Sequence, residues 1–316
     1  MSTQQILIDS AERIFSDHCD KPLLDRAEAG EFPAALWEVL KDNGFPELAS
    51  LDSGFDLADV FAVLKIAGRH AVPLPLAESL LANRWLSQSE QFASVGLVNG
   101  AGVHQVPWGR NADLVIGIDP AGGEGVVLRE PKTVAAAVNL AGEPRDRMSS
   151  AASTTLALNE PCFELLALSR VVQTAGSLER ILELALQYAN EREQFGRPIA
   201  RFQAIQHNLA VLAAEVAAAV RSADAAVDAI GNDRFGLEVA AAKSRVGEAA
   251  GICAEIAHQV HGAMGFTHEH QLHHFTRRAW AWRDEFGNET FWRRRLGEHI
   301  AGLGADSVWN FLATRG

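Results

Sequence analysis

The sequence predicts a mainly α-helical fold with a small β domain in its middle, and three observations predict it. Apolar residues recur at helical three- and four-residue spacing through residues 4–90. The pattern gives way to short β-type runs between about 91 and 158, and from Phe163 onward long amphipathic runs restore the helical period. The expected organisation is an N-terminal helical domain over 1–90, a middle β domain over 91–158 and a C-terminal four-helix bundle over 159–316.

In the first region Leu36, Val39 and Leu40 follow Pro33 at helical spacing, and Val60, Leu64 and Ala67 repeat it before the prolines of AVPLPL stop the run. The runs SVGLV, DLVIGI, GVVLRE, TVAAAVNL and TTLALN then read as strands, separated by the turn-forming GAG, DPAGGEG and GEPRDR. Next, Leu165, Leu168, Val172, Ala175, Leu178, Leu182, Ala185 and Ala189 mark one face of a first long helix, and Ile205 through Ile230 a second. Val239 through Val260 mark a third, and RRRLGEHIAGL a shorter fourth. Each carries one apolar stripe rich in alanine, which lets helix axes approach closely and suits an antiparallel bundle.

A chain of 316 residues with 48% hydrophobic content can bury a large core over two or three domains. Its formal net charge of -12 repels a phosphate backbone, so nucleic acid is not an expected partner. Cys19, Cys162 and Cys253 are odd in number and widely separated, which points to reduced thiols and a cytoplasmic setting. Neither a signal peptide at the start nor a membrane-spanning run of 18 apolar residues is expected.

Several familiar chemistries find no support. GAGVHQV and AGGEGVV lack a G-x-G-x-x-G between strand and helix, there is no P-loop, and there is no G-x-S-x-G elbow. HQVHGAMGFTHEHQLHH brings together His258, His261, His268, His270, His273 and His274, but misses H-E-x-x-H by one residue; these read as surface or interface histidines and no metal is expected. The run HHFTRRAWAWRDEFGNETFWRRRLG reads as an amphipathic helix packing Trp280, Trp282, Phe291 and Trp292, or as a subunit contact.

One stretch does point to a ligand. YANEREQFGRPIARFQAIQH breaks two helical runs with Phe-Gly-Arg-Pro and crowds Arg192, Arg197 and Arg201 around the break. An arginine fork suits a pyrophosphate and Phe195 suits a flat ring, while the glycines of QVHGAMGF let a ligand approach backbone. A dinucleotide lying across one corner of the bundle is a coherent reading; a helix-capping turn with surface arginines is the plainer one.

EREQFGRPIARFQAIQHNLA, followed some fifty residues later by HQVHGAMGFTHEHQLHHFTRRAWAWRDEFG, resembles the C-terminal helical domain of the acyl-CoA dehydrogenase flavoproteins, and LWEVLKDNGFPEL and GRHAVPLPLAES are similar to their first domain. The resemblance implies an acyl-CoA dehydrogenase-like architecture of α domain, β domain and α bundle, with FAD shared at a subunit interface. It assigns cofactor contacts to Arg192, Phe195 and Gln203 and, from Q-x-x-G-x-x-G, to Gln259, Gly262 and Gly265. It further implies an acyl-CoA substrate and an electron-transfer flavoprotein or similar acceptor.

The reaction implied by this family removes an α proton to a carboxylate as hydride leaves Cβ, so the base matters most. Where the family has Y-E-G-T this chain has Glu285-Phe286-Gly287-Asn288, which puts Phe286 in the base position and Glu285 one step early, roughly 100 degrees around a helix. The alternative seat falls on Leu166, with Glu164 two residues away. A T-E-P-x-A-G-S-D-like segment for the flavin ring is missing from 91–158, which is short for the family's full barrel, so the β domain reads as reduced. The resemblance therefore implies a short β-type subunit of a heteromeric α2β2 enzyme, finishing the FAD site of a full-length α partner and acting on a bulky, steroid-type acyl-CoA. A self-sufficient homo-oligomer using Glu285 as base is the alternative, and a flavin-free binding or scaffold protein a third.

Overall fold

The computed structural model describes residues 3–87, 91–100 and 102–314. Five helices come first: α1 (Thr3–His18), α2 (Lys21–Glu28), α3 (Ala34–Asp42), α4 (Leu57–Arg69) and α5 (Leu76–Leu86). Local chemistry sets their starts. Asp20 accepts from the Leu23 amide to cap α2, and Asp56 and Asp59 form a reciprocal capping box that opens α4. The helix α5 is buried from Leu76 to Asn83, Glu78 included, because it is enclosed on every side.

Seven strands follow: β1 (Ala93–Asn99), β2 (Gly102–Pro107), β3 (Leu114–Ile118), β4 (Glu124–Arg129), β5 (Lys132–Ala135), β6 (Arg145–Ser149) and β7 (Ala152–Ala157). They form one sheet in the order β5-β6-β2-β1-β3-β4-β7, with β1 and β3 parallel and every other pair antiparallel. The expected strand TVAAAVNL is cut short. Lys132–Ala135 pairs as an exposed edge strand and Val138 makes only an isolated bridge to Pro144, while Val134, Val138 and Leu140 face solvent at 52–61% exposure.

The last region is helical. Its central member, α6 (Cys162–Glu191), is covered by α4 on one side and by α7 (Gln203–Asp228) and α8 (Phe235–His261) on the other. Two glycines permit the first contact: a Cβ on Gly176 would lie 1.9 Å from the Lys65 carbonyl oxygen, and one on Gly68 would lie 2.0 Å from that of Gln173. Here the two backbones touch. Between α6 and α7 the chain forms a hairpin of β8 (Glu193–Gln194) and β9 (Arg197–Pro198).

The Trp/Arg run divides into α9 (Leu272–Asp284) and α10 (Glu289–Leu303), followed by α11 (Ala305–Thr314). Phe286 and Gly287 both take positive φ, 54° and 92°, and Asn288 caps the helix that begins after them, so the turn is encoded residue by residue. Trp282 and Trp292 are 2% and 0% exposed, so their rings pack within this chain and do not form a subunit contact. The fold is the expected one, mainly helical with a small β domain and a C-terminal helical bundle, and the run read as one amphipathic helix is split between α9 and α10. Among the described residues no helix is long and apolar enough to cross a membrane.

Candidate functional site

The sequence break at 192–201 becomes a two-residue β turn. Phe195 and Gly196 occupy its central positions with φ of 52° and 76°, the left-handed pair that matches the twist of a hairpin. Left-handed backbone is unfavourable for a bulky side chain, yet Phe195 adopts it and stands 91% exposed. Its ring meets Phe202 edge-on at 6.1 Å, and the Arg197 guanidinium covers the other ring at 4.4 Å.

Behind the hairpin lies a groove of about 510 Å³ lined by Tyr188, Arg192, Phe195, Phe202, Gly262 and Met264, among others. Gly262 ends α8 with φ 58°, and nothing stands within 4 Å of where its Cβ would be, so that face of the backbone is open. The helix α7 starts at Gln203 without a side-chain cap, leaving the amide end of a 26-residue helix next to the groove. An exposed arginine, two rings and a helix amino end together favour a ligand with phosphate and a flat ring.

Of the six cofactor-binding residues expected from sequence, Arg192, Phe195 and Gly262 line this groove. Gln203 and Gln259 are exposed beside it without lining it. Gly265 is buried, and a Cβ there would meet His261 Cβ at 3.0 Å and His258 Nδ1 at 3.1 Å, so tight packing favours glycine.

A second feature occupies the centre of the molecule and was not expected from sequence. Glu285 follows α9 and turns inward, where Arg145 Nε and Arg170 Nε reach its two oxygens at 2.8 and 2.6 Å and Asn139 Nδ2 donates at 3.0 Å. Arg170 also binds Glu78 on α5 and Gln173, the latter at 2.7 Å. On the other side Arg145 pairs with Glu143, Glu143 with Arg278 at 3.3 Å, and Arg278 with Glu28 on α2 at 2.7 Å. A continuous chain of alternating charge thus ties α2, α5, α6, the sheet and α9 together.

Burial alone would push the Glu285 carboxyl up, but Arg145 and Arg170 overcome it and hold it down at about 2. Lys243 lies alongside, donating to the carbonyls of Trp282, Arg283 and Glu285 at 3.3, 3.0 and 2.7 Å and so capping α9. Burial drives its ammonium down to about 7. Between Glu78, Trp108, Glu143, Arg145, Arg170 and Trp282 only about 10 Å³ is left, room for about one water.

The two seats for a base implied by the sequence resemblance face this packed interior. Phe286 is 6% exposed, set edge-on to Phe163 with the Arg170 guanidinium 5.4 Å from its ring centre, and Leu166 is fully buried. Glu164 is spent on Arg295 at 3.0 Å.

The C-terminal half matches the family model described as "Acyl-CoA dehydrogenase, C-terminal domain" over residues 158–301. The chain is 32% identical over 236 residues to acyl-CoA dehydrogenase IpdE2 of Mycolicibacterium smegmatis, covering 72% of this chain and 74% of that protein. Its fold superposes on the ChsE4-ChsE5 complex from Mycobacterium tuberculosis with a TM-score of 0.85 at 23% identity, over 96% of this chain and 99% of that one. It also superposes on the Tcur3481-Tcur3483 steroid ACAD with a TM-score of 0.81 at 21% identity, over 95% and 98%. The chain belongs to the acyl-CoA dehydrogenase family.

Proposed function

We propose that this chain is a β-type subunit of a heteromeric, α2β2 acyl-CoA dehydrogenase, completing the FAD site of a full-length α partner that supplies the catalytic base. The observation that carries this is the state of Glu285. A general base needs a carboxylate whose proton affinity suits the working pH and which can reach the substrate. Glu285 borders a groove of about 340 Å³ with Asn139, Arg145 and Trp280, but its two oxygens are committed to two buried arginines that neutralise it.

The residues at the corner fit one part of a flavin dinucleotide. Arg192 offers a forked cation to a pyrophosphate, the start of α7 offers amide N–H groups, and Phe195 offers an exposed face to a ring. The space of about 10 Å³ between Glu78, Arg170 and Trp282 admits neither an isoalloxazine nor an acyl chain. When bound in the partner, the flavin would supply the hydride acceptor; the role of this chain would be to position it and exclude water.

Two like-folded structures support the assembly by their names, one a two-component complex and one a steroid ACAD. A bulky steroid-type acyl-CoA is therefore the substrate class to try first, with an electron-transfer flavoprotein or similar acceptor and a cytoplasmic setting, where the free thiols of Cys19, Cys162 and Cys253 would persist. The test is co-expression with a full-length family member and a count of flavin per chain. The expected result is a colourless chain alone and a yellow complex with one FAD for each pair of unlike chains. A lone chain carrying one FAD, reduced by acyl-CoA and silenced by Glu285→Gln, would establish the homo-oligomeric alternative instead.

A further inference from the structure

Two of the six clustered histidines meet an acid from the far end of the chain. His273 and His274 begin α9, Asp25 lies on α2, and one ligand atom from each falls within 4.8 Å of the others. His273 Nδ1 is 2.8 Å from the His270 carbonyl oxygen, which can only accept, so Nδ1 carries the proton and Nε2 is a bare lone pair. That Nε2 is buried and has no partner. His274 is 0% exposed, and its Nδ1 lies 2.7 Å from Glu28 Oε1, which likewise calls for a proton there. Its Nε2 lies 3.2 Å from Asp25 Oδ1 but lacks the alignment of a hydrogen bond.

One nitrogen of each imidazole and one carboxylate oxygen thus converge within 4.8 Å of one another, and each ring has an unpartnered Nε2. Each imidazole also gives its outer N–H to an oxygen, which is how protein sites orient histidines toward a metal. We propose that Asp25, His273 and His274 bind one divalent transition ion, with zinc as the reference case. Two imidazoles and one carboxylate suit zinc, cobalt, nickel and copper more than magnesium or calcium.

Ligand atoms on a tetrahedral zinc stand about 3.4 Å apart given bonds near 2.1 Å, so the group must contract slightly on binding. Asp25, with its side chain 45% exposed and its second oxygen held by Lys21 at 2.6 Å, is the movable arm. The fourth position falls to water or to His268, whose ring meets His273 edge-on at 5.2 Å. The ion would clamp α2 to α9 beside Glu28, where the central charge chain ends.

The test uses the full-length chain without a histidine tag, in whichever assembly it purifies, stripped with EDTA and titrated with Zn(II) or Co(II). Expected are one ion per chain by elemental analysis, visible absorption from bound Co(II), and a rise in melting temperature on adding zinc. Asp25→Asn and His273→Gln, at partly exposed positions that leave the fold intact by circular dichroism, should each weaken binding by about tenfold or more. The proposal is overturned if the stripped chain takes up neither ion stoichiometrically, as it would if His274 were simply an imidazolium shared by Asp25 and Glu28. It is equally overturned if both variants bind as tightly as the parent.

Discussion

The Glu285 carboxylate is held between two buried arginines, and this makes its substitution informative in two directions. Glu285→Gln removes the charge that compensates Arg145 and Arg170, both buried, and leaving such charges unpaired costs about 3–5 kcal/mol. Denaturant unfolding of the variant should show that loss, while turnover of the assembled complex, measured where the variant still folds, should stay within a few-fold of the parent. Arg192 behaves oppositely. Among the described residues its guanidinium has no ion-pair partner, so Arg192→Ala should leave the unfolding midpoint of the chain unchanged yet raise the flavin dissociation constant of the complex about tenfold or more. Arg192, Phe195 and Gly262 were legible because they stand in two contiguous motifs. The centre was not: Glu285 stood out only as a candidate base, and its partners Glu78, Glu143, Arg145 and Arg170 come from segments up to 207 positions away and each resemble an ordinary surface charge. Only Glu78 and Arg170 carried a signal: each sits inside a run, LPLAESLLA and LLALSRVVQ, whose apolar residues continue around the helix.

Among the elements, the β8–β9 hairpin keeps a conformation that its own sequence resists. Asparagine tolerates left-handed backbone far better than phenylalanine, and an exposed ring gains little from the isolated chain. Phe195→Asn should therefore preserve or slightly raise the melting temperature of this chain alone while weakening its complex with the α partner, measured by titration calorimetry. An equal loss in both would show that the ring serves this chain's own fold. At the α4–α6 crossing the expectation is reversed: Gly176→Ala places a methyl 1.9 Å from the Lys65 carbonyl oxygen and must drive two backbones apart, so destabilisation well beyond the usual 1–3 kcal/mol of overpacking should appear in denaturant unfolding. The long helices were readable from their stripes because each buries one face. Gly68 and Gly176 were not, because in one dimension a glycine that admits a crossing backbone looks like a helix weak point. The Trp/Arg run was readable as a helix but its break was not: α9 buries Arg278 and His274 as well as apolar residues, which blurs the period and hides where it ends.

Across the whole molecule, the three regions are joined by charge as much as by apolar contact, and acid should reveal this. The Glu285 and Glu28 carboxyls are each held at about 2, and Glu143 is also lowered; arginines outweigh the effect of burial at Glu285 and Glu143, and the His274 hydrogen bond together with Arg278 does so at Glu28. Unfolded carboxylates titrate near their ordinary value of about 4.3. As pH falls through that value the unfolded chain takes up protons that the folded chain refuses, so the stabilisation is complete above about pH 5 and disappears between there and about pH 2. Glu285 and Glu28 would each contribute on the order of 3 kcal/mol by this route, enough to consume much of the 5–15 kcal/mol by which domains are usually stable. Denaturant midpoints should therefore be flat from pH 8 to 5 and drop steeply below pH 4.5. In Glu285→Gln the steep limb should lose about one proton of slope and start from a lower plateau. A parent protein that unfolds no more easily at pH 3 than at pH 6 would mean that these arginines are matched by equal interactions in the unfolded chain, and that the sealed centre is held by packing alone.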